Sequence, residues 1–205
     1  MSFNAAENGL TIVCDVGKVL IDFSVEHFRA FLRRSGADFE TDQEFIDQTN
    51  MHAYERGLIS SEQYLQNIER ILAKRPSRQE LQRHWEDIFT PIPEMLALVE
   101  SLKQKHPVYL LSNTNELHWY HLEREYALMS YANGALTSFE AGMAKPDSAI
   151  FALAEAKFGL LPQRTIYIDD LEQNVLAARK RNWLPIHHLS CKQTAAQLKQ
   201  LGLDV

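Results

Sequence analysis

The chain has 205 residues, with 21 lysines and arginines against 27 aspartates and glutamates, which gives a formal charge of −6 at pH 7. This length can bury a substantial core and suggests one domain, or one domain with an insertion. The negative charge, with no long run of one sign, argues against a nucleic-acid or anionic-membrane partner. A small soluble ligand is therefore expected.

Cysteine usage and hydropathy indicate where the protein works. The two cysteines, Cys14 and Cys191, indicate neither a disulfide framework nor a cysteine-based metal site. Residues 1–9 lack the basic start and apolar stretch of a secretion signal, and no later apolar run approaches the roughly 18 residues of a membrane span. These features predict a soluble, cytoplasmic protein without a membrane partner.

The elements predicted in chain order alternate between strands and helices. Residues 11–14 form a short apolar, β-branched run that predicts a buried parallel strand ending at Asp15. Helical spacing of apolar residues then predicts four helices, at residues 25–34, 43–56, 61–72 and 78–89. A helix follows from Pro93 to about residue 105, and later strands are predicted at residues 108–111, 134–139, 165–168 and 184–189. This order predicts a three-layer α/β/α, Rossmann-like parallel sheet with an inserted four-helix segment.

Polar side chains stand at or just after the ends of these predicted strands. In chain order they are Asp15, Ser112, Asn113, Lys145, Asp169 and Asp170. Because a parallel sheet gathers its strand ends at one edge, we expect these groups to meet in one cleft. The Asp15 and Asp170 carboxylates would form a hard oxygen site suited to Mg²⁺, which commonly binds one or two carboxylates and a substrate phosphate. Lys145 and the Ser112 hydroxyl would then face the phosphate oxygens.

The order of these motifs resembles that of a known enzyme superfamily. Four motifs of the haloacid dehalogenase-like (HAD) hydrolases are similar to segments of this chain: Asp15-x-Gly17, Ser112-Asn113, Lys145-Pro146 and Asp169-Asp170. Within that superfamily, residues 15–22, 55–60 and 111–115 look most like a bacterial subgroup of phosphatases that act on α-D-glucose 1-phosphate. The resemblance implies a core domain of residues 1–23 and 91–205 and a helical cap domain of residues 24–90. Closure of a mobile cap would exclude water, and the cap would select the substrate.

The resemblance also implies how the chain would handle a phosphate monoester. Asp15 would be the nucleophile that attacks phosphorus to form an aspartyl-phosphate. A carboxylate with a free pKa of about 3.9 is ionised at neutral pH, as this role requires. Ser112 and Asn113 would hold the phosphoryl oxygens. Lys145 would neutralise charge on both the nucleophile and the phosphate, which otherwise repel each other.

The cofactor implied by the resemblance is Mg²⁺. The ion would bridge Asp15, the Gly17 carbonyl and the phosphate, where it would stabilise the charge of the transition state. Asp170 aligns with the metal-binding acid of the fourth motif, and Asp169 would be a direct or water-mediated ligand. Asn174 stands where that motif often has another acid, so we expect it to orient the ligands.

Gly17 departs from the common pattern of the superfamily. Most of its phosphatases have a second aspartate at this position, which protonates the leaving oxygen, and such help is typically worth about 10²–10⁴ in rate. The glucose 1-phosphate subgroup shares the glycine, so a phosphatase remains the first expectation. A hydrolase of another bond, such as a haloacid dehalogenase, and a silent binding protein remain alternatives. We expect leaving groups that need less protonation to be favoured, and Asp22 to be a turn residue rather than a replacement acid.

Three other groups of polar side chains have open roles. His118 and His121 could share a helix face, but packing explains them more simply than a second metal site. His187 and His188 are adjacent in a predicted strand and point to opposite faces, so a joint site is not expected. Residues 54–56 precede Gly57 in the predicted cap, where they either face the substrate or form a helix end with a capping glycine.

Overall fold

The structure, a computed structural model, describes residues 9–205. The prediction that residues 1–9 carry no secretion signal therefore falls almost entirely outside the described residues. Within them, the strands are β1 (Thr11–Cys14), β2 (Ile21–Phe23), β3 (Phe89–Pro91), β4 (Val108–Ser112), β5 (Gly134–Thr137), β6 (Thr165–Asp169) and β7 (Leu184–His187). No helix in this part of the chain is long and apolar enough to cross a membrane.

Five of these strands form one parallel sheet, in the order β5-β4-β1-β6-β7. The central strands β1 and β6 are almost fully buried, as expected for apolar runs covered on both faces. Parallel pairing places the carboxyl ends of all five strands at one edge of the sheet. The predicted strand at residues 134–139 ends earlier, at Thr137, because Ser138 begins a short helix.

Helices cover both faces of this sheet. The helices of the described residues are α1 (Glu26–Arg34), α2 (Asp42–Thr49), α3 (Met51–Glu55), α4 (Ser61–Arg70), α5 (Arg78–Glu86), α6 (Pro93–Lys103), α7 (Glu116–Tyr126), α8 (Ser138–Ala141), α9 (Ser148–Phe158), α10 (Glu172–Lys180) and α11 (Cys191–Gln200). Ile12 and Cys14 of β1 pack with residues of α6, α7 and α11, whereas Val13 packs with residues of α9 and α10. Alternate residues of one strand thus face two helical layers. The predicted three-layer α/β/α fold is confirmed.

Helices α1 to α5 form the inserted segment and enclose a core of their own, which includes Phe28, Tyr64 and Trp85. The predicted helix at residues 43–56 is in fact two helices, because Asn50 adopts a left-handed conformation with φ 57° between α2 and α3. Asparagine tolerates this conformation better than most residues. The last helix of the segment ends at Glu86 rather than at residue 89, because the chain turns there into β3.

The inserted segment begins and ends at a two-stranded ribbon. Strand β2 pairs antiparallel with β3, so the chain leaves and rejoins the sheet layer at one place. The sequence-based boundaries between residues 23 and 24 and between residues 90 and 91 fall at this ribbon. The division into a core domain and a cap domain stays a prediction.

Two hydrogen bonds, which we call the α3 tethers, join the end of α3 to the sheet layer. The Ser138 hydroxyl donates to the Glu55 carbonyl at 2.6 Å, and the Leu117 N–H donates to the Tyr54 hydroxyl at 3.1 Å. Both bonds link residues far apart in the sequence, so they fix the position of the inserted segment rather than its internal fold. Gly57 follows α3 with φ +64° and lies directly against the Phe139 carbonyl.

A Gly57→Ala substitution is expected to destabilise the protein more than the same change at Gly159. Both glycines have a left-handed φ, +64° and +65°, which costs a residue with a side chain about 1–2 kcal/mol. At Gly57 a Cβ would also stand 2.1 Å from the Phe139 carbonyl oxygen, whereas at Gly159 it would meet open space. Urea unfolding of the two variants measures the difference. Equal losses of unfolding free energy in the two variants would show that the close approach of Gly57 to the Phe139 carbonyl does not contribute to stability.

Candidate active site

The carboxyl edge of the sheet gathers the polar residues singled out in the sequence. Asp15 follows β1, Ser112 is the last residue of β4, and Asp169 is the last residue of β6. Lys145 reaches the same place from the loop between α8 and α9. All four are nine-tenths or more buried. The expected convergence is therefore present, and it follows from the shared direction of the strands.

Lys145 is the hub of this cluster. Its Nζ lies 2.8 Å from Asp15 Oδ1, 2.8 Å from Asp169 Oδ2 and 2.8 Å from the Leu111 carbonyl oxygen. Burial lowers the pKa of Lys145, but the two carboxylates outweigh burial and raise the pKa above its ordinary value. The side chain is therefore an ammonium with each proton directed at an oxygen.

The Asp15 carboxylate lies between this ammonium and the acids of β6. Burial raises the pKa of Asp15 to about 7; Lys145 opposes the shift and the Asp169 charge adds to it. The Val16 N–H also donates to Asp15 Oδ1, at 2.7 Å, which fixes the carboxylate at the end of β1. A buried carboxylate that is held at one oxygen and repelled by a second acid favours a cation beside it.

Asp169 is held by four side-chain and backbone donors. Besides Lys145, the Tyr167 hydroxyl donates to Oδ2, the Leu171 N–H donates to Oδ1 at 2.9 Å, and the Asn174 amide lies 3.0 and 3.1 Å from the two oxygens. Burial opposes ionisation, but Lys145 and Tyr167 bring the pKa of Asp169 below its ordinary value. The carboxylate is therefore ionised and largely occupied by protein donors.

Asp170 is more open than Asp169. Its side chain is partly exposed, and burial together with the neighbouring Asp169 charge raises the pKa of its carboxyl. The His187 ring donates from Nε2 to the Asp170 carbonyl oxygen at 2.8 Å, which fixes the backbone of this residue. Asp170 is consequently a carboxylate on a fixed backbone, with a side chain that is free to bind a ligand.

These residues fit a Mg²⁺ ion. Asp15, Asp169 and Asp170 each offer a carboxylate oxygen, and the three oxygens lie within 4.8 Å of one another. Carboxylate oxygens are hard donors, and Mg²⁺ prefers hard oxygen ligands. Beside them, Asn174 Oδ1 is buried without a hydrogen-bond partner among the described residues, as expected of an acceptor for a metal-bound water. Gly17, whose carbonyl was the remaining predicted ligand, lines the cleft at this edge.

Asn113 binds the backbone of Lys145. Its Nδ2 donates to the Lys145 carbonyl at 2.9 Å and its Oδ1 accepts from the Lys145 N–H at 2.8 Å. The amide nitrogen has two protons, so one remains for a ligand. Asn113 thus aligns Lys145 and can still meet a phosphoryl oxygen together with the Ser112 hydroxyl, which lines the same cleft.

The cleft itself lies between the carboxyl edge of the sheet and the inserted helices. It has a cavity volume of about 160 Å³. Gly17, Ser112 and Asn113 line its inner end, and Met51, Glu55 and Trp85 of the inserted segment line its outer side. The space suits a small metabolite rather than a macromolecule.

His118, His121, His188 and Asp22 have structural partners; the ring of His121 lies 3.5 Å from the Glu86 carboxylate. His118 is buried and neutral, since burial lowers its pKa to about 3, and its ring stacks on Trp85 and lies 3.0 Å from the Trp85 carbonyl. His188 bonds to Thr194 rather than sharing a site with His187. Asp22 lies in β2, where the bond from the Lys18 ammonium lowers the pKa of its carboxyl. Such a group is a poor proton donor, so Asp22 has a structural role as expected, although it lies in a strand and not in the expected turn.

The sequence analysis missed Tyr167, which donates to Asp169 and faces Lys145 Nζ across 6.0 Å. A signal was present, because residues two apart in a strand share a face and Tyr167 stands two positions before Asp169. Its ring is fully buried and lies beside the Lys145 ammonium.

Comparisons with known proteins agree with this geometry. A family model described as haloacid dehalogenase-like hydrolase matches residues 10–180. A D-ribitol-5-phosphate phosphatase from Bacteroides thetaiotaomicron is 25% identical over 174 residues, which are 80% of this chain and 84% of that protein. A HAD family enzyme from the same organism, solved with magnesium and inorganic phosphate, is 26% identical with a TM-score of 0.77 over 87% of this chain and 93% of that chain. An L-2-haloacid dehalogenase from Xanthobacter autotrophicus, 16% identical with a TM-score of 0.60 over 94% and 83% of the two chains, shares the fold. The chain belongs to the haloacid dehalogenase-like hydrolase family.

Proposed function

We propose that this hydrolase removes phosphate from small phosphorylated sugars or polyols. It is a phosphoric monoester hydrolase that uses Mg²⁺. The observation that carries the proposal is the contact of Lys145 Nζ with Asp15 and Asp169 beside the Asp170 carboxylate. Asn113 bonds to the Lys145 backbone and, with Gly17 and Ser112, lines the neighbouring cleft. The similarity to a ribitol-5-phosphate phosphatase supports a polyol or sugar phosphate as substrate.

Each residue of the cluster has a role in the proposed reaction. Asp15 attacks phosphorus through its carboxylate oxygen; the new P–O bond forms as the ester P–O bond breaks, and the leaving oxygen takes a proton from solvent water. A second water then attacks the phosphorus of the aspartyl-phosphate and loses a proton to solvent, which releases inorganic phosphate and returns the Asp15 carboxylate. Lys145, Ser112 and Asn113 hold the phosphoryl oxygens during both steps. When bound by Asp15, Gly17, Asp170 and Asp169, Mg²⁺ supplies positive charge where the transition state is most negative.

The leaving group decides between candidate substrates. Gly17 provides no carboxyl to protonate the leaving oxygen, which favours α-D-glucose 1-phosphate, whose anomeric oxygen is a better leaving group than a primary alkoxide. The named relative instead acts on a phosphate of ribitol. The proposed class contains both compounds, and their relative rates test whether the missing acid limits the choice of substrate.

Phosphate release from α-D-glucose 1-phosphate, ribitol 5-phosphate and p-nitrophenyl phosphate tests the function. We expect turnover with Mg²⁺, loss of turnover on chelation with EDTA, and full recovery when Mg²⁺ is restored, because the carboxylate cluster needs a cation to accept a dianionic phosphate. Halide release from 2-haloacids serves as the comparison. Halide release without phosphate release would favour the dehalogenase alternative, and silence in both assays would favour a binding protein.

A further inference from the structure

The outer part of the cleft is apolar except at one residue of α3. Its walls there come from Val25, Met51, Ile88 and Phe89, together with Trp85. Among the described residues that line the cleft, only Glu55 has a formally charged side chain, since His118 is neutral. An apolar pocket with a single carboxylate is built to place one polar part of a ligand.

Glu55 is fixed relative to the phosphate end of the cleft. Its carbonyl accepts the Ser138 hydroxyl at 2.6 Å, and Gly57 just beyond it lies against the Phe139 backbone. The last residue of α3 is thus held by the same layer that carries Ser112 and Asn113. A group held in this way sets the distance between a bound phosphate and the part of the substrate that Glu55 meets.

The Glu55 carboxylate has acceptor capacity to spare. Its side chain is 28% exposed, and His52 Nδ1 lies 3.6 Å from Oε2, longer than a hydrogen bond. Burial raises the pKa of Glu55, and the nearby His52 and Arg56 only partly offset that shift. A carboxylate removed from water without close donors is unfavourable unless a ligand provides them.

We propose that Glu55 determines specificity by accepting hydrogen bonds from hydroxyl groups of the substrate's leaving group, and so selects sugar and polyol phosphates over aryl phosphates. This inference rests on the proposed function. Arg56 already places positive charge near the carboxylate, which disfavours an ammonium-bearing substrate and leaves hydroxyl groups as the matching donors. A leaving group without hydroxyls would bury the carboxylate unpaired, and sites of this kind discriminate strongly against analogues that lack the donor.

The test compares Glu55→Ala and Glu55→Gln with Glu62→Gln, a change at an exposed glutamate of α4 in the same inserted segment. We expect Glu55→Ala to lower kcat/KM for glucose 1-phosphate and ribitol 5-phosphate roughly 10- to 100-fold, the range of one charge-assisted hydrogen bond. Turnover of p-nitrophenyl phosphate should not fall, because its ring offers no hydroxyl that could lose a bond to Glu55. Glu55→Gln keeps the volume and one acceptor, so its loss should be smaller, and Glu62→Gln should match the wild type.

The outcome is read from the ratio of kcat/KM for the polyol and aryl substrates. A lowered ratio in both Glu55 variants supports the proposal. An unchanged ratio overturns it, whether turnover falls equally on every substrate or does not fall at all. Circular dichroism checks that both Glu55 variants fold. If the alanine variant does not fold, the ratio is measured for Glu55→Gln alone. A wild-type protein that is inactive on all three phosphates would overturn the proposed function and this inference with it. An active enzyme whose variants leave the ratio unchanged would overturn this inference alone.

Discussion

Replacing Lys145 with methionine is expected to abolish phosphate release and to lower the free energy of unfolding by about 3–5 kcal/mol. The lysine side chain is 1% exposed and contacts two carboxylates, one of which is fully buried. Methionine fills most of the same volume but leaves Asp15 and Asp169 with no opposing charge. Removing one partner from a buried ion cluster lowers the free energy of unfolding by more than the intact cluster contributed to it, because the remaining charges stay desolvated.

Urea unfolding in EDTA measures this loss without interference from bound metal. Lys180→Met, a change at an exposed lysine near the end of α10, is the control and should leave both stability and turnover unchanged. In the double variant Lys145→Met with Asp169→Asn, one of the unpaired charges is gone, so part of the stability should return while activity stays absent. A Lys145→Met protein as stable as the wild type would contradict the description of Lys145 as the electrostatic hub.

Replacing Asp15 with asparagine is expected to lower kcat by at least roughly 10³-fold while the fold is kept. An amide has the same shape as the carboxylate but cannot form a covalent bond to phosphorus under these conditions. Lys145 keeps its contacts with Asp169 and the Leu111 carbonyl, so the substitution leaves no unpaired ammonium. Turnover of p-nitrophenyl phosphate with Mg²⁺ measures the loss, and acid quenching traps a phosphoenzyme in the wild type alone.

The matched control for this experiment is Asp22→Asn. Asp22 also follows β1 closely in the sequence, but it lies in β2 and its carboxylate binds the Lys18 ammonium, whereas Asp15 contacts Lys145. We expect this variant to turn over substrate at nearly the wild-type rate. Comparable losses in the two variants would show that the chemistry does not depend on Asp15 in particular.

Much of the fold could be predicted because its strands are short apolar runs with polar residues at their ends. Residues 11–14 and 165–168 have this pattern, and both became central strands. Strands β2 and β3 could not be recognised, since each has only three residues, too few for an alternating pattern to be distinguished from chance. The break at Asn50 was equally hidden, because apolar residues on both sides keep helical spacing and the left-handed conformation depends on how α2 and α3 pack in the inserted segment.

The candidate site was predictable where it depends on strand order and not where it depends on side-chain partners. Convergence of Asp15, Ser112 and Asp169 follows from parallel pairing alone. The two bonds between Asn113 and the Lys145 backbone join residues 32 positions apart, and no local pattern encodes them. The surroundings of Glu55 could not be predicted for the same reason, because the burial of its carboxylate depends on the packing of α3 against the sheet layer.

The α3 tethers also bear on how fast the enzyme can exchange its ligands. Two buried or half-buried hydrogen bonds of about 0.5–1.5 kcal/mol each favour the arrangement in which the helices cover the cleft, by roughly 5- to 150-fold. We therefore expect the covered arrangement to predominate and substrate to bind in the small fraction of time that the cleft is open. On this expectation, association is slowed by that fraction and release of the dephosphorylated product limits the catalytic cycle.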